Sequence, residues 1–421
     1  MRDPSSALGG AAAGVRMSQV VQKYGGSSVA TPERIRAVAE RVRRSRQRGE
    51  GVVVVVSAMG KTTDQLVALA HALNDEPPSR EMDQLLATGE TVTAPLLAMT
   101  LIGMGVDAIS LTGPQAGIRA STAHRKARIL DIVPERIVDE LGRGRVVVVA
   151  GFQGVTEALD IATLGRGGSD TTAVALACAL RADHCEIYTD VRGVYTADPR
   201  LVPEARPIPE ISYEEMLEFA AVGAKVMHPR AVEIGEAYET PIWVRSSFDE
   251  SPGTVICRHP QLEDRQKVRG IAHETDVAKV TLLRVPDRPG VAAAIFGPLA
   301  DHHVSVDVIV QNVGHDGSTD LSFTIAESEL RQAAKVVADV AAVVGAEGFD
   351  TASDVAKVSI VGTGMLNYPG IAATMFRTLA DSGINIKMIS TSEIRITCLV
   401  AREQVGDAVR ALHRAYQLDE L

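Results

Sequence analysis

The chain has 421 residues, 46% of them hydrophobic, and its 43 basic and 53 acidic residues give a net charge of -10. This length allows two or three globular domains, and an acidic chain without a basic stripe excludes nucleic acid as an expected partner. A membrane is excluded as well, because the longest apolar runs, at 52–56 and 146–150, are far shorter than the roughly 20 residues that a bilayer requires.

Short β-branched runs alternate with helical patterns from residue 20 to about residue 255. Continuous apolar strands that are each followed by a helix predict a mostly parallel sheet with helices on both faces. Ligands are then expected at the carboxyl ends of the strands, where loops lead into helices.

The first strand runs into "KYGGSS", which contains Lys23, Gly25, Gly26 and Ser27. Glycines let backbone N–H groups approach phosphate oxygens, and a lysine beside them supplies a mobile positive charge. The segment is therefore a candidate phosphate cradle. The alternative is an ordinary glycine-rich turn between a strand and a helix.

Two further stretches supply polar groups. The segment "VVVVVSAMGKTT" is not a P-loop, because Val55 stands where that motif requires glycine. The hydroxyls of Ser57 and Thr63 either cap a helix or contact a substrate. In "LLATGETV", Glu90 lies in the first turn of a predicted helix, where it serves the helix dipole unless the loop faces a site.

The segment "ATLGRGGSDTTAVALA", at 162–177, places an arginine, glycines and small polar residues before an alanine-rich helix. The N-terminus of such a helix attracts anions. Further on, "EIYTDVRGVYTADPR" could hold a nucleotide, with a solvent-exposed loop as the alternative. The histidines lack metal-ligand spacing, so His184 and His228 are expected in core or capping positions.

The C-terminal third contains a repeat. The segments that begin at Arg288 and Tyr368 align without gaps, 80 positions apart. Each copy has the pattern of a strand, a Pro-Gly turn, an amphipathic helix and a strand, which predicts a βαββαβ unit of about 70 residues. The polar stretch 258–267 is the predicted linker into this pair.

Taken together and in this order, "KYGGSS", "SAMGKTTD", "LLATGE", "GRGGSDTTAVALA", "YTDVRGVYTADPR", "GAKVMHPRAVE" and "ISTSEIRI" resemble the aspartate kinases, in their actinobacterial, lysine/threonine-regulated form. The resemblance covers residues 18–421. It implies an α/β amino-acid-kinase fold, an αβα sandwich with a mainly parallel sheet, at 18–262. Two ferredoxin-like βαββαβ ACT domains are expected to follow, at 275–348 and 355–421.

The activity implied by this resemblance is transfer of phosphate from MgATP to the side-chain carboxylate of L-aspartate, giving 4-phospho-L-aspartate. This is the first step toward lysine, threonine, methionine and diaminopimelate. Mg²⁺ is expected to arrive with ATP, and no protein metal site is predicted. The four cysteines lack CxxC spacing, which favours reduced thiols and a cytoplasmic enzyme.

The resemblance also assigns residues. The catalytic set is Lys23, Arg166 and Asp170. The aspartate contacts are Ser57, Thr63, Glu90, Arg166, Gly167, Gly168 and Ser169. The ATP contacts are Lys23, Tyr24, Gly25, Gly26, Ser27, Thr189, Asp190, Tyr195, Asp198, Arg200 and Lys225. We expect Asp170 to organise Lys23 and the Mg-phosphate group rather than to remove a proton. The side-chain carboxyl of the substrate has a pKa of about 4, so it is already ionised at neutral pH and needs no base.

Lysine and/or threonine are the implied effectors. Their expected contacts are Asp287, Gly290, Asp307, Gln311, Asn385, Ile386, Ser392 and Glu393. Arg125 departs from the family pattern in the kinase part, with no predicted effect, and four positions depart from it in the ACT part, namely Ser305, Gly314, Ala372 and Lys387. We therefore expect feedback that is weakened or retuned.

The expected assembly is a homodimer through the ACT domains, or an α2β2 complex with a short ACT-only chain. The second is less favoured, because no methionine lies between Met227 and Met365 to start such a chain. Other activities of the same fold, such as glutamate 5-kinase, acetylglutamate kinase or UMP kinase, fit the tandem repeat less well. A catalytically silent amino-acid sensor is an alternative of a different class.

Overall fold

The computed structural model describes residues 18–223, 226–258, 267–311, 317–365, 368 and 370–420. The chain divides into two compact units. Unit 1 comprises Met1–Arg192 and Met227–Arg258, and unit 2 comprises Gly193–Val226 and His259–Leu421. The segment Gly193–Val226 therefore packs with the C-terminal part of the chain, although the boundary at 262 would assign it to the kinase domain.

Strands and helices are numbered along the whole chain. The strands are β1 Gln19–Tyr24, β2 Gly51–Val56, β3 Ala108–Leu111, β4 Ile118–Ala120, β5 Ile129–Ile132, β6 Val146–Ala150, β7 Gln153–Val155, β8 Ile161–Thr163, β9 His184–Thr189, β10 Glu210–Ser212, β11 Ile242–Ser246, β12 Thr254–Cys257, β13 Gly270–Glu274, β14 Ala278–Pro286, β15 Ile309–Gln311, β16 Ser318–Ile325, β17 Gly348–Ala352, β18 Val355–Val361, β19 Met388–Thr391 and β20 Arg395–Ala401. The α-helices are α1 Pro32–Gln47, α2 Thr62–Leu73, α3 Ser79–Leu86, α4 Thr88–Gly103, α5 Glu135–Gly142, α6 Gly168–Leu180, α7 Tyr213–Ala221, α8 Pro229–Ala237, α9 Val291–Asp301, α10 Leu330–Val344, α11 Ile371–Asp381 and α12 Val405–Ala415.

The main sheet of unit 1 has the strand order β12-β11-β9-β1-β2-β6-β3. All its neighbours from β11 to β3 pair in parallel, and β12 alone runs antiparallel to β11. Every residue of β2 and β6 is buried, as expected of strands that helices cover on both faces. The predicted mainly parallel sheet is confirmed.

Successive side chains of a strand point to opposite faces of the sheet. Both faces of this sheet therefore carry apolar side chains, and helices cover both. Val52, Val54 and Val56 join a core cluster with α1 and α4. Helix α6, most of which is buried, contacts β1, β2 and β9. A smaller sheet, with the order β5-β4-β7-β8, completes unit 1.

Helices α3 and α4 form one helical stretch, Ser79–Gly103, which among the described residues is the one long and apolar enough to cross a membrane by length and composition. Half of its most apolar window is buried inside the protein. Leu97 and Leu101 belong to the same core cluster as β2. The stretch therefore serves as a core helix of unit 1.

Unit 2 contains the predicted repeat. Helices α9 and α11 begin at Val291 and Ile371, which preserves the spacing of 80. Each follows a glycine in the left-handed region, with φ of 91° at Gly290 and 109° at Gly370. The first copy is a complete βαββαβ unit with strand order β15-β16-β14-β17.

The fourth strand of the second copy is β13, which precedes the first copy in sequence. Its sheet has the order β13-β18-β20-β19, and β13 pairs antiparallel with β18 along Gly270–Glu274. The described chain has no strand after α12, so the edge of β18 is covered by a strand that precedes the first ACT copy in sequence. The predicted boundaries, 275–348 and 355–421, leave this strand out.

Candidate active site

A cavity of about 310 Å³ opens in unit 1 where β1 and β2 end and α6 begins. Its walls contain these predicted residues: Lys23, Gly25, Gly26, Ser57, Thr63, Glu90, Arg166, Gly167, Gly168, Ser169 and Asp170. They also contain residues that the sequence analysis did not select: Ala58, Gly60, Phe152 and Gly165. Segments spread over more than a hundred residues of sequence thus meet at the carboxyl edge of the sheet, as parallel strand topology predicts.

Lys23 and Asp170 form an ion pair in the wall of this cavity. Lys23 Nζ lies 2.6 Å from Asp170 Oδ1, and both side chains are largely buried. Lys23 is held by β1, which pairs on both sides with neighbouring strands. Asp170 lies in the first turn of α6. The carboxylate therefore fixes the position of an ammonium group that faces the cavity.

Near this ion pair, two glycines let neighbouring segments approach the backbone more closely than a Cβ atom would allow. A Cβ atom on Gly26 would lie 2.9 Å from the carbonyl oxygen of Ala58. Gly167, which precedes α6, has φ of 69°, a conformation that L-residues rarely adopt. His228 packs against Gly167, and its Nδ1 accepts a hydrogen bond from Arg230 N at the start of α8. His228 is thus a capping residue, as predicted.

Glu90 is the most buried carboxyl group of the cavity, with 3% of its surface exposed. Its Oε1 accepts a hydrogen bond of 3.0 Å from Ala58 N. Its Oε2 has no hydrogen-bond partner among the described residues. Burial raises the pKa of Glu90 to about 7, although the hydrogen bond from Ala58 acts in the opposite direction. A buried acceptor of this kind suits a cationic ligand group.

The remaining wall residues differ in exposure. Arg166 is exposed, Ser169 is buried, and Ser57 and Thr63 are intermediate. The cavity therefore has one exposed guanidinium group and one buried ammonium group for anions, with Glu90 as the uncompensated carboxyl group.

Several predicted ATP contacts do not line this cavity. Tyr24 is fully buried, and its ring stacks on Tyr188 with 4.8 Å between the ring centroids. Its ring is therefore part of the core rather than of the cavity wall, and the ATP contact of Tyr24 stays a prediction. The Ser27 carbonyl accepts a hydrogen bond from Arg34 Nη1. Lys225 lies outside the described residues.

The other nucleotide candidates fall into two places. Thr189 ends β9, and its Oγ1 donates a hydrogen bond of 3.0 Å to Asp190 Oδ1. Tyr195, Asp198 and Arg200 belong to unit 2. Arg200 Nη2 lies 2.7 Å from Asp198 Oδ2, while 87% of the Arg200 side chain stays exposed. The hydrogen bonds from Arg200 hold the pKa of Asp198 below its ordinary value.

Asp307 is the predicted effector contact with the most defined surroundings. Lys357 Nζ, on β18, lies 2.5 Å from Asp307 Oδ2 and 3.4 Å from Glu274 Oε2. Asp307 lies in the first ACT copy and Lys357 in the second, so this ion pair joins the two copies. The Lys357 side chain is buried. The other effector candidates occupy loops and element ends, at Asp287, Gly290, Gln311, Asn385, Ile386, Ser392 and Glu393. Lys387, one of the departures, pairs with Asp354 at 2.8 Å.

Phe152 is one of the four wall residues that sequence reasoning missed. It adopts φ of 69°, which is costly for a bulky residue. Its N–H donates to Thr172 Oγ1, and its ring lies against Gly168. The glycines at 151 and 154 are the sequence signal that marked this irregular turn.

Comparison with known proteins supplies the family. Residues 18–246 match the amino acid kinase family, and residues 279–345 and 358–416 match ACT domains. An aspartate kinase of Stutzerimonas stutzeri is 51% identical over 404 residues, covering 96% of this chain and 98% of the relative. Aspartokinase 2 of Bacillus subtilis is 49% identical, with 96% and 99% covered. An aspartokinase of Corynebacterium glutamicum is 48% identical, with 96% and 97% covered. These similar identities do not single out the actinobacterial subtype.

Among solved structures, E. coli aspartokinase III in complex with aspartate and ADP matches with a TM-score of 0.79 and 26% identity. The match covers 94% of this chain and 99% of that one. The same enzyme in complex with lysine and aspartate matches with a TM-score of 0.74. The predicted fold class, a kinase domain followed by ACT domains, is thereby confirmed.

Proposed function

This chain belongs to the amino acid kinase family and, within it, to the aspartate kinases, and we propose that it phosphorylates the side-chain carboxylate of L-aspartate with MgATP. The product is 4-phospho-L-aspartate. The observation that carries the proposal is the cavity in which the Lys23–Asp170 ion pair, the exposed Arg166 and the buried Glu90 face one space.

The chemistry requires charge stabilisation rather than a base. The side-chain carboxyl of aspartate has a pKa of about 4, so it is already an anionic nucleophile at neutral pH. One of its oxygens forms a bond to the γ-phosphorus as the bond to the β-phosphate oxygen breaks, and ADP leaves with that electron pair. Negative charge spreads over the transferred group in the transition state. Lys23 is the cation that stabilises it, and Asp170 positions the Lys23 ammonium group.

Arg166 and Glu90 define the aspartate subsite. The guanidinium group pairs with a substrate carboxylate, a match for which its planar geometry suits better than lysine. The unpartnered Oε2 of Glu90 receives the substrate α-ammonium group. Ser57, Thr63 and Ser169 add hydroxyl contacts, and Gly167 and Gly168 add backbone contacts.

The nucleotide is assigned to Gly25, Gly26, Ser27, Thr189, Asp190, Tyr195, Asp198, Arg200 and Lys225. Tyr24 stays a predicted contact, and its ring is buried. Mg²⁺ in such sites is held largely by substrate phosphates with one or two carboxylates. Asp170 is a wall carboxylate beside the phosphate-side lysine, so the donor set fits an ion that arrives with ATP. Mg²⁺ would neutralise phosphate charge, and Asp170 would help to hold it.

Regulation and cellular context follow from the family. Lysine and/or threonine are the proposed effectors, and E. coli aspartokinase III has been solved in complex with lysine and aspartate. The altered positions Ala372 and Lys387 support weakened or retuned feedback in a lysine/threonine-regulated enzyme of actinobacterial type. The proposed setting is the first step of lysine, threonine, methionine and diaminopimelate synthesis in the cytoplasm. The proposed assembly is a homodimer, or an α2β2 complex with an ACT-only chain.

The test measures ADP release with MgATP and L-aspartate, while hydroxylamine traps the acyl phosphate. We expect aspartate-dependent turnover that falls by about a hundredfold or more in Lys23→Met, since a lost transition-state charge contact commonly costs that much. Lys335→Met is the matched control, because Lys335 is exposed on α10. No turnover by folded full-length protein would favour the amino-acid sensor instead.

A further inference from the structure

Residues 194–208 form a closed loop in unit 2. The Ile208 N–H donates to the Val194 carbonyl over 2.7 Å, and the Thr196 N–H donates to the Arg206 carbonyl over 2.9 Å. A loop of this length with joined ends is an Ω-loop, a compact structure that is often functional. It contains the nucleotide candidates Tyr195, Asp198 and Arg200.

The interior of this loop is part of an ACT domain core. Ala197, Val202 and Ala205 are buried in one cluster with Met375 of α11 and Leu412 of α12. Loops usually run over protein surfaces with few buried apolar side chains. The loop 194–208 instead packs its apolar side chains against helices α11 and α12 of the second ACT copy.

Thr196 is fully buried and makes the hydrogen bonds that join the loop to the rest of unit 2. Its carbonyl accepts a hydrogen bond of 2.7 Å from Ile271 N on β13. Its Oγ1 accepts a hydrogen bond of 3.1 Å from Arg206 N and lies 2.9 Å from His413 Nε2. The loop is thus joined to β13 through backbone and to α12 through one side chain.

His413 has 1% of its surface exposed. Because Thr196 Oγ1 already accepts from Arg206 N, its own O–H is available to donate to Nε2 of a neutral imidazole. Burial lowers the pKa of His413, which favours that neutral form at pH 7. The imidazole therefore serves as an acceptor that fixes the Thr196 hydroxyl group.

We propose that His413 is a positioning residue for the nucleotide, acting through Thr196 on the loop that presents Tyr195, Asp198 and Arg200. This inference rests on the proposed assignment of those three residues to ATP. Without the His413 acceptor, the buried hydroxyl proton of Thr196 loses its acceptor, and the loop keeps its other attachments but is held less precisely. We expect ATP binding to weaken and aspartate binding to stay unchanged.

The test compares steady-state kinetics of full-length variants. His413→Phe should raise KM for ATP about tenfold, the equivalent of one lost hydrogen bond of roughly 1.4 kcal/mol, with KM for aspartate within twofold. His413→Gln should restore the wild-type value, because its amide reaches a similar position and can accept. Thr196→Val should behave like His413→Phe, and the double variant should cost no more than either single one.

Three outcomes decide between the explanations. Val409→Ala weakens packing on the same helix and keeps both partners of the Thr196–His413 hydrogen bond, so an equal rise in KM for ATP in this variant would mean general loosening and overturn the proposal. If Arg200→Ala raises KM for ATP while His413→Phe and Thr196→Val do not, His413 has no positioning role but the proposed function stands. If Arg200→Ala leaves KM for ATP unchanged, the nucleotide assignment itself fails. Should His413→Phe not fold, Thr196→Val alone carries the test.

Discussion

Glu90 is buried and has an unpartnered Oε2 among the described residues. The sequence alone shows neither property. Its position in the first turn of α4 is that of an ordinary helix-dipole partner. Burial and the unpartnered Oε2 instead give it a raised pKa and an open acceptor. A carboxyl group in this state is sensitive to pH near neutrality and responds to a bound cation.

The first prediction concerns stability. The folded-state pKa of Glu90 is about 7 against an ordinary 4.5, so between these values the folded chain binds more protons than the unfolded chain. The contribution of Glu90 to the free energy of unfolding should therefore fall as pH rises from about 4.5 to 7 and level off above 7, by on the order of 3 kcal/mol. Denaturant unfolding of wild type and Glu90→Gln at several pH values measures this difference. A constant difference between the two would contradict it.

The same group should govern aspartate binding. A bound α-ammonium group favours ionised Glu90, so KM for aspartate should rise as pH falls below about 7. In Glu90→Gln the KM should be high at every pH, and its change across this range should disappear. KM for ATP, measured on the same samples, is the internal control.

Arg125, whose effect the sequence left open, has a specific backbone role. It adopts φ of 67°, where glycine is favoured, and its N–H donates to the buried carboxylate of Asp83. Arg125→Gly keeps that hydrogen bond and removes the strain. We expect it to raise the free energy of unfolding by up to about 1 kcal/mol. Arg125→Ala, which retains a Cβ atom, should bring no such gain in the same denaturant titration.

Strand β13 gives the prediction at the scale of elements. Ile271 is buried in the core of the second ACT copy, although it precedes the first copy in sequence. Ile271→Ala should lower the free energy of unfolding of unit 2 by about 2–4 kcal/mol. Val343→Ala on α10, where Val343 is 77% exposed, should change it by less than about 0.5 kcal/mol. Equal effects of the two would show that β13 does not belong to that core.

Feedback is a property of the whole molecule. We expect lysine and threonine together at about 1 mM, a typical metabolite-level concentration, to inhibit this enzyme less than the Corynebacterium glutamicum relative assayed alongside it. The reason is the altered ACT surface, where Lys387 is engaged by Asp354 and Ala372 replaces a polar residue of the family pattern. Inhibition as complete as in that relative would contradict weakened feedback.

The sequence by itself determined the main elements and the fold class, a kinase domain followed by ACT domains. Alternation of apolar strands with helices indicated the parallel sheet, and the 80-residue repeat indicated the ACT copies, because both patterns are local. Motif order pointed to Lys23, Glu90 and Arg166, all of which line one cavity. Lys23 lies near the carboxyl end of β1, where parallel topology places a ligand site, whereas Glu90 reaches the same cavity from the first turn of α4.

Only the tertiary structure decided which elements share a core. Residues 193–226 pack with unit 2, and β13 completes the sheet of the second ACT copy. It also decided that the Tyr24 ring is buried and that Phe152 faces the cavity. Hydrophobic burial is non-directional and depends on contacts distant in sequence, so no periodicity within a segment reveals which partner covers it.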